Sequence, residues 1–204
     1  MEYDFSTKEQ LAKKLIDYTT NPDDDNIRFK QRIKDKLLQC PELLYVLHNP
    51  DYESELFDEN GNLMKDGDWS IYFGDNIRPY ILFPEVQTTP KNFLCYKVEF
   101  NEVPKYNDAE KYCQITFVVF CHAKDIIDRT TGIPRHDLIA SILREKFSYS
   151  NTFMMRCKPI SNKEGITDND YVTRTLIFES IIPNSIVQTK NDKAEYVNYS
   201  PVRK

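Results

Sequence analysis

The chain has 204 residues, 40% of them hydrophobic and 13% aromatic, enough for one packed core with appendages and too few for two comfortable domains. Its 27 basic and 32 acidic side chains leave a net charge of -5, which argues against a general nucleic-acid binder, because such proteins need a positive surface to displace counterions from phosphates. No apolar run approaches the length of a membrane span, and Met1-Glu2-Tyr3-Asp4 is acidic where a signal peptide is basic and then apolar, so a soluble product made in the cytoplasm, with no membrane partner, is expected.

In chain order, Ser6-Thr7-Lys8-Glu9 has a capping-box pattern, and Leu11, Leu15 and Ile16 behind it supply a narrow apolar stripe, predicting a first helix from about Thr7 to Tyr18. Asn21-Pro22-Asp23-Asp24-Asp25 ends it and opens a second, with Ile27, Ile33, Leu37 and Leu38 at helical spacing. Pro41 starts a third, to Leu47, whose Leu43, Leu44, Val46 and Leu47 are dense enough to be buried. From Asn49 to Asp68 the prolines, acids and Asn60-Gly61-Asn62 mark an irregular loop or small hairpin.

Strands are predicted at Trp69 to Phe73, Arg78 to Phe83 and Phe93 to Val103. In the last, Tyr96, Val98 and Phe100 alternate with Lys97, Glu99 and Asn101, as in a strand with one wet face. The polar link Lys105 to Glu110 suits a hairpin to the next strand, Gln114 to His122, which is apolar on both faces and needs cover on both. Asp128-Arg129-Thr130-Thr131-Gly132 then leads through Pro134 into an amphipathic helix, with Leu138, Ile139, Ala140, Ile142, Leu143 and Phe147 on one arc and Asp137, Ser141, Arg144 and Glu145 opposite. Thr152 to Ile160, a turn at Asn162-Lys163-Glu164-Gly165, and Tyr171 to Ser180 read as a second hairpin. The expected fold is α+β: a mainly antiparallel sheet with one amphipathic helix packed on it, plus a helical N-terminal segment. It forms a single domain over residues 1–182, with helices in 1–48, a loop in 49–68 and the core in 69–182. Residues 183–204 form a C-terminal arm, either packed on a neighbouring subunit or disordered.

Chemistry is sparse. The five cysteines, Cys40, Cys95, Cys113, Cys121 and Cys157, contain no C-x-x-C pair and read as reduced core residues. A zinc site would need Cys113, Cys121, His122 and His136, but Cys121 and His122 are adjacent on a strand and point to opposite faces. Asp58 to Asn62 fails as a calcium loop, with glycine at the fourth position and Trp69 at the twelfth. His136, between Arg135 and Asp137, invites an acid–base role, yet consecutive helical side chains diverge, and a half-buried structural histidine is the plainer reading. His48 has no evident partner. Glu85, Lys97 and Glu99 suggest a metal-dependent nuclease but lack a converging aspartate. No catalytic residue, cofactor or metal is therefore expected, and Arg129, Arg135 and Asp137 are the candidate polar contacts of an interface.

The element order over Arg78 to Ile182, together with the segment Ile126-Ile127-Asp128-Arg129-Thr130-Thr131-Gly132-Ile133-Pro134-Arg135-His136-Asp137-Leu138-Ile139-Ala140, resembles the tail terminator and tail completion proteins of tailed bacteriophages. Those are small α+β proteins that form a hexameric ring at the head-proximal end of the tail tube and join it to the neck. The resemblance implies a structural virion protein without enzymatic activity, assembled in the host cytoplasm. Its partners would be copies of itself, the tail tube protein and neck or connector proteins, and not sequence-specific nucleic acid. Such proteins share topology more than motif, so no family residue is carried over individually. A connector or head-completion adaptor of the neck is the alternative within the virion, and an enzyme such as a metal-dependent nuclease is the alternative of another class.

Overall fold

The chain is seen here as a computed structural model, which describes residues 7–20, 25–82, 90–100, 110–150, 156–167, 170–183, 186–188 and 194–196. Five α-helices occur among them: α1 (Lys8–Thr20), α2 (Asp25–Leu38), α3 (Pro41–Leu47), α4 (Glu53–Leu56) and α5 (Arg135–Phe147). The strands are β1 (Ile77–Arg78), β2 (Phe93–Phe100), β3 (Glu110–His122), β4 (Lys158–Ile166) and β5 (Tyr171–Pro183), with a short separate hairpin, β6 (Ile186–Gln188) and β7 (Ala194–Tyr196). The main sheet has the order β1-β2-β3-β5-β4 and is antiparallel except for the short β1–β2 pair. This is an α+β fold, as the patterning predicts.

β3 is the central strand because both its faces are apolar. Its register sets Phe93 to Phe100 against Phe120 to Cys113 on one side and Tyr171 to Pro183 against His122 to Glu110 on the other. Cys113, Ile115, Phe117, Val119 and Cys121 are fully buried in the main core with Ile139, Ala140, Leu143 and Phe147 of α5. The predicted arc of α5 is therefore the packed one, while Leu138 and Ile142 are partly buried at its flanks. On the opposite face, Phe93, Cys95, Phe120 and Tyr171 form a smaller cluster. The end of β1 and the residues after it close over it: the Arg78 guanidinium stacks 4.4 Å from the Phe93 ring centre, and Leu82 O lies 4.0 Å from Cys95 Sγ. Cover for that end of β3 comes from the chain itself.

The helices agree with the sequence in place and differ in detail. The capping box of α1 is Thr7 with Gln10, whose side chains accept from each other's backbone N–H at 3.2 and 3.0 Å, one residue later than the Ser6 pattern suggests. Ser6 itself lies outside the described residues. In α2 the buried seam is Phe29, Ile33 and Leu37, with Ile27 only half buried, and the Tyr96 hydroxyl of β2 donates to Lys30 O at 2.9 Å. α3 has the predicted bounds and all four of its predicted core residues are buried.

Three strand expectations need correction. Trp69–Tyr72 is a 3-10 turn, not a strand, because the Asp68 carboxylate accepts from Ser70 N and Oγ while Trp69 Nε1 donates to Glu55 O, curling the chain at its start. Of the segment Arg78 to Phe83, Arg78 alone pairs in the sheet, joined by Ile77; Phe83 lies outside the described residues. Asn162-Lys163-Glu164-Gly165 is not a turn: it lies inside β4, which pairs with β5 along Asn162↔Leu176, Lys163↔Thr175 and Glu164↔Arg174 after a bulge between Pro159 and Ser161. An edge strand is wet along one side, so polar residues there imitate a turn in sequence. The Asp58–Asn62 turn is plain, closed by the Phe57↔Leu63 bridge, with Asp58 accepting from Asn60 N and Asn62 N and Gly61 at φ 79°. Lys105 to Ala109 and most of the segment 183–204 lie outside the described residues.

Candidate functional site

Polar chemistry gathers at the N-terminal end of α5. The preceding segment folds back on itself: Gly132 adopts φ 70°, which favours glycine, and Asp128 accepts from Thr131 N at 2.9 Å and Thr131 Oγ1 at 2.8 Å. Arg135, the first residue of the helix, thereby turns inward and is only 3% exposed. Its Nε donates to Asp125 O at 3.1 Å, and its guanidinium lies 3.2 Å from Asp128 Oδ1, 3.5 Å from Asp125 Oδ1 and 3.4 Å from Val46 O at the end of α3. Asp125 also receives Asn92 Nδ2 at 2.9 Å and sits 2.8 Å from His48 Nδ1, so His48 has a partner that the sequence did not reveal. Arg135 thus serves inside the chain, fastening α3 to the start of α5. Arg129 is exposed at the rim of a hollow of about 300 Å³ lined also by Asp125, Asp128 and Thr130.

The network continues through amides. Asn92 Nδ2 also donates to Leu47 O, its Oδ1 accepts from His122 N, and Asn76 Nδ2 donates to Asn92 O, with Asn49 Nδ2 donating to Asn76 Oδ1 at 2.7 Å. Buried polar groups linked this way fix the mutual position of α3, β1, β2 and β3 at one end of the sheet. Beside it, Asp75 accepts from Lys91 Nζ and Tyr52 Oη, both at 2.9 Å. Burial works to raise its pKa, but the hydrogen bonds from Lys91 and Tyr52 prevail, and its carboxyl titrates below the usual carboxylate range. A carboxylate depressed on folding contributes stability that is complete above its unfolded value, near pH ~4, and is lost as pH falls through the folded one. Asp75→Asn should therefore flatten the acid limb of the melting-temperature profile below about pH 5, as read by thermal melts; an unchanged limb would contradict this linkage.

A second polar cluster lies on the helix-covered face. His136, the second residue of α5, is 3% exposed and neither ring nitrogen has a hydrogen-bond partner. Its Nε2 lies 3.6 Å from Asp137 Oδ1 and 3.5 Å from Glu164 Oε2 of β4. Arg174 of β5, directly across the ladder from Glu164, pairs with Asp137 and lies 3.6 Å from Glu164 Oε2. Two adjacent helical residues expected to diverge are thus brought together from one side by strand residues. Asp137 pairs within the chain, while remaining one-third exposed. Sequence reasoning missed Glu164 and Arg174; the signal available was the register that sets them opposite one another.

The other singled-out residues do not converge on chemistry. Lys97 and Glu99 pair with each other at 2.8 Å on a part-exposed strand face, and Glu85 lies outside the described residues. All five cysteines are buried and in no disulfide, and burial pushes the thiols of Cys40 and Cys157 up to about 12, well away from nucleophilic service. Cys121 faces the main core while His122 stacks edge-on against Tyr171, on opposite sides of β3. A hollow of about 410 Å³ opens between Tyr112, Tyr149, Lys158 and Ile181 at the far end of the sheet. Among the described residues, no helix is long and apolar enough to cross a membrane.

No curated protein matches the chain. A family model named YomW matches residues 41–180, from the start of α3 almost to the end of β5, and so takes in the sheet, α5 and both polar clusters. That span is well over half of the sequence, and the protein belongs to the YomW family, a phage-related family.

Proposed function

We propose that the protein is a structural component of the phage head-to-tail junction, a tail terminator that caps the tail tube as a ring of identical subunits and joins it to the neck. The observation that carries this reading is unburied apolar surface on regular elements. Leu11, Leu15 and Ile16 of α1 are 48%, 67% and 62% exposed, and on the edge strand β4 Ile160 and Ile166 are 44% and 83% exposed. A sheet edge with projecting isoleucines is what a monomer blunts and what an assembling subunit buries. The phage-related family and the element order support the same reading, in which the protein acts by assembly and not by catalysis. A ring uses two different surfaces of each subunit, and α1 and β4 supply two candidates.

Mass photometry and negative-stain microscopy of the full chain, alone and with tail tube protein, test this. Rings of a single defined size are expected, formed by the chain alone or on contact with tube, and Leu15→Glu or Ile166→Lys should abolish them while far-ultraviolet circular dichroism stays unchanged. A strictly monomeric protein that also fails to bind tube overturns the proposal. Binding to the portal-side connector in preference to the tube would move the protein to the adaptor position and overturn the terminator assignment.

A further inference from the structure

We propose that His136, Asp137 and Glu164 form a binding site for one divalent transition-metal ion of the zinc type, independent of the ring assembly. Nitrogen and oxygen ligand atoms from the three side chains lie within 4.8 Å of one another, close enough for small side-chain shifts to bring them onto one ion. The decisive group is His136. A buried imidazole normally has a hydrogen-bond partner, yet both its nitrogens lack one, and Nε2 faces between two carboxylate oxygens at 3.5 and 3.6 Å. Those distances are long for hydrogen bonds, and an ion between the three atoms would bond all of them with small side-chain adjustments.

Charge and ligand chemistry agree. The cluster holds two carboxylates against one guanidinium, so with a neutral imidazole it carries one net negative charge. Arg174 keeps Asp137 and Glu164 in place in the manner of an outer-shell group that orients ligating carboxylates. One imidazole with two carboxylates suits zinc and its neighbours in the first transition row, and the absence of thiolate from the set disfavours copper(I). Glu164 is 55% exposed, giving the ion an entry path and leaving further coordination positions to water. Such an ion would tie the start of α5 to the edge hairpin of β4 and β5. The cysteine-based zinc set excluded from sequence is a different group of residues; this one needs the β4–β5 register and the helix crossing to assemble.

The test is calorimetric titration of zinc chloride into chelator-treated full-length protein near neutral pH, with thermal shift recorded on the same samples. One saturable site per chain, a raised melting temperature, and affinity weakened by at least about tenfold in Glu164→Gln and in Asp137→Asn support the proposal. No saturable binding to the wild-type chain overturns it, as does binding of wild-type strength in both variants, which would put the ion elsewhere. Glu164 projects from an exposed edge strand, so Glu164→Gln folds and keeps the test decisive even where a His136 substitution fails to fold. Because the readout is ion binding to the purified chain, a negative result leaves the tail terminator reading intact, and a failure to form rings leaves this one intact.

Discussion

Phe117→Ala is expected to lower the unfolding free energy by about 3–5 kcal/mol, near the top of the range for a single core truncation. Phe117 is fully buried at the centre of β3, and its ring lies 4.9 Å from that of Phe147 in α5, 5.8 Å from Phe178 in β5 and 6.1 Å from Tyr96 in β2. Four elements therefore meet at one side chain. The cavity left by truncation is lined by residues whose backbones are pinned in sheet ladders on both sides, so the surroundings cannot collapse into it and the cavity cost adds to the lost transfer energy. Urea denaturation should show a lower midpoint with an unchanged slope. Val118→Ala, one residue along on the opposite face and itself only half buried, should cost no more than roughly 1 kcal/mol. A Phe117→Ala loss as small as that of Val118→Ala would mean that α5 does not close over the sheet as described.

That contrast between neighbouring residues was legible in the sequence, because strand parity and helical arc are set by local periodicity alone. The bounds of α3, the buried arc of α5 and the two apolar faces of β3 all follow from it. The edge strand was not legible. Asn162 to Gly165 is polar because one side of β4 meets water, and only pairing with β5 shows that it is extended. Trp69 to Tyr72 misled in the opposite direction: an aromatic and β-branched run reads as strand, yet a capping carboxylate at Asp68 and an indole hydrogen bond to Glu55 O fold it into a turn. The two polar clusters were hidden for a related reason. Arg135 and His136 sit at a helix start, where charged and polar residues are ordinarily solvated, and nothing local to them encodes Asp125, Glu164 or Arg174 as partners. Sites assembled across elements become visible only once register and crossing are known.

Arg135→Met should cost about 3–5 kcal/mol, the penalty for removing one partner of a buried ion pair while leaving the other charge in place. Asp128, with its side chain 4% exposed, would keep Thr131 and lose its countercharge, and Val46 O would lose its donor. Adding Asp128→Asn to Arg135→Met should recover part of the loss, since a neutral amide no longer needs that partner. The pH dependence follows from the same pair. Burial works to raise the Asp128 pKa, but hydrogen bonds from the Thr131 side chain and backbone, with the Arg135 guanidinium, hold it below the usual carboxylate range. In the wild type this contributes stability present above the unfolded value near pH ~4 and lost as pH falls through the folded one. In Arg135→Met the carboxylate becomes the burden, and its protonation in acid relieves it, so the gap between variant and wild type should narrow below about pH 4. Arg129→Ala, six residues earlier and exposed, should stay within about 0.5 kcal/mol in denaturation of the isolated chain. Equal losses for the two arginines would remove the buried role given to Arg135, whereas a neutral Arg129→Ala that weakens ring formation would place Arg129 at a subunit contact.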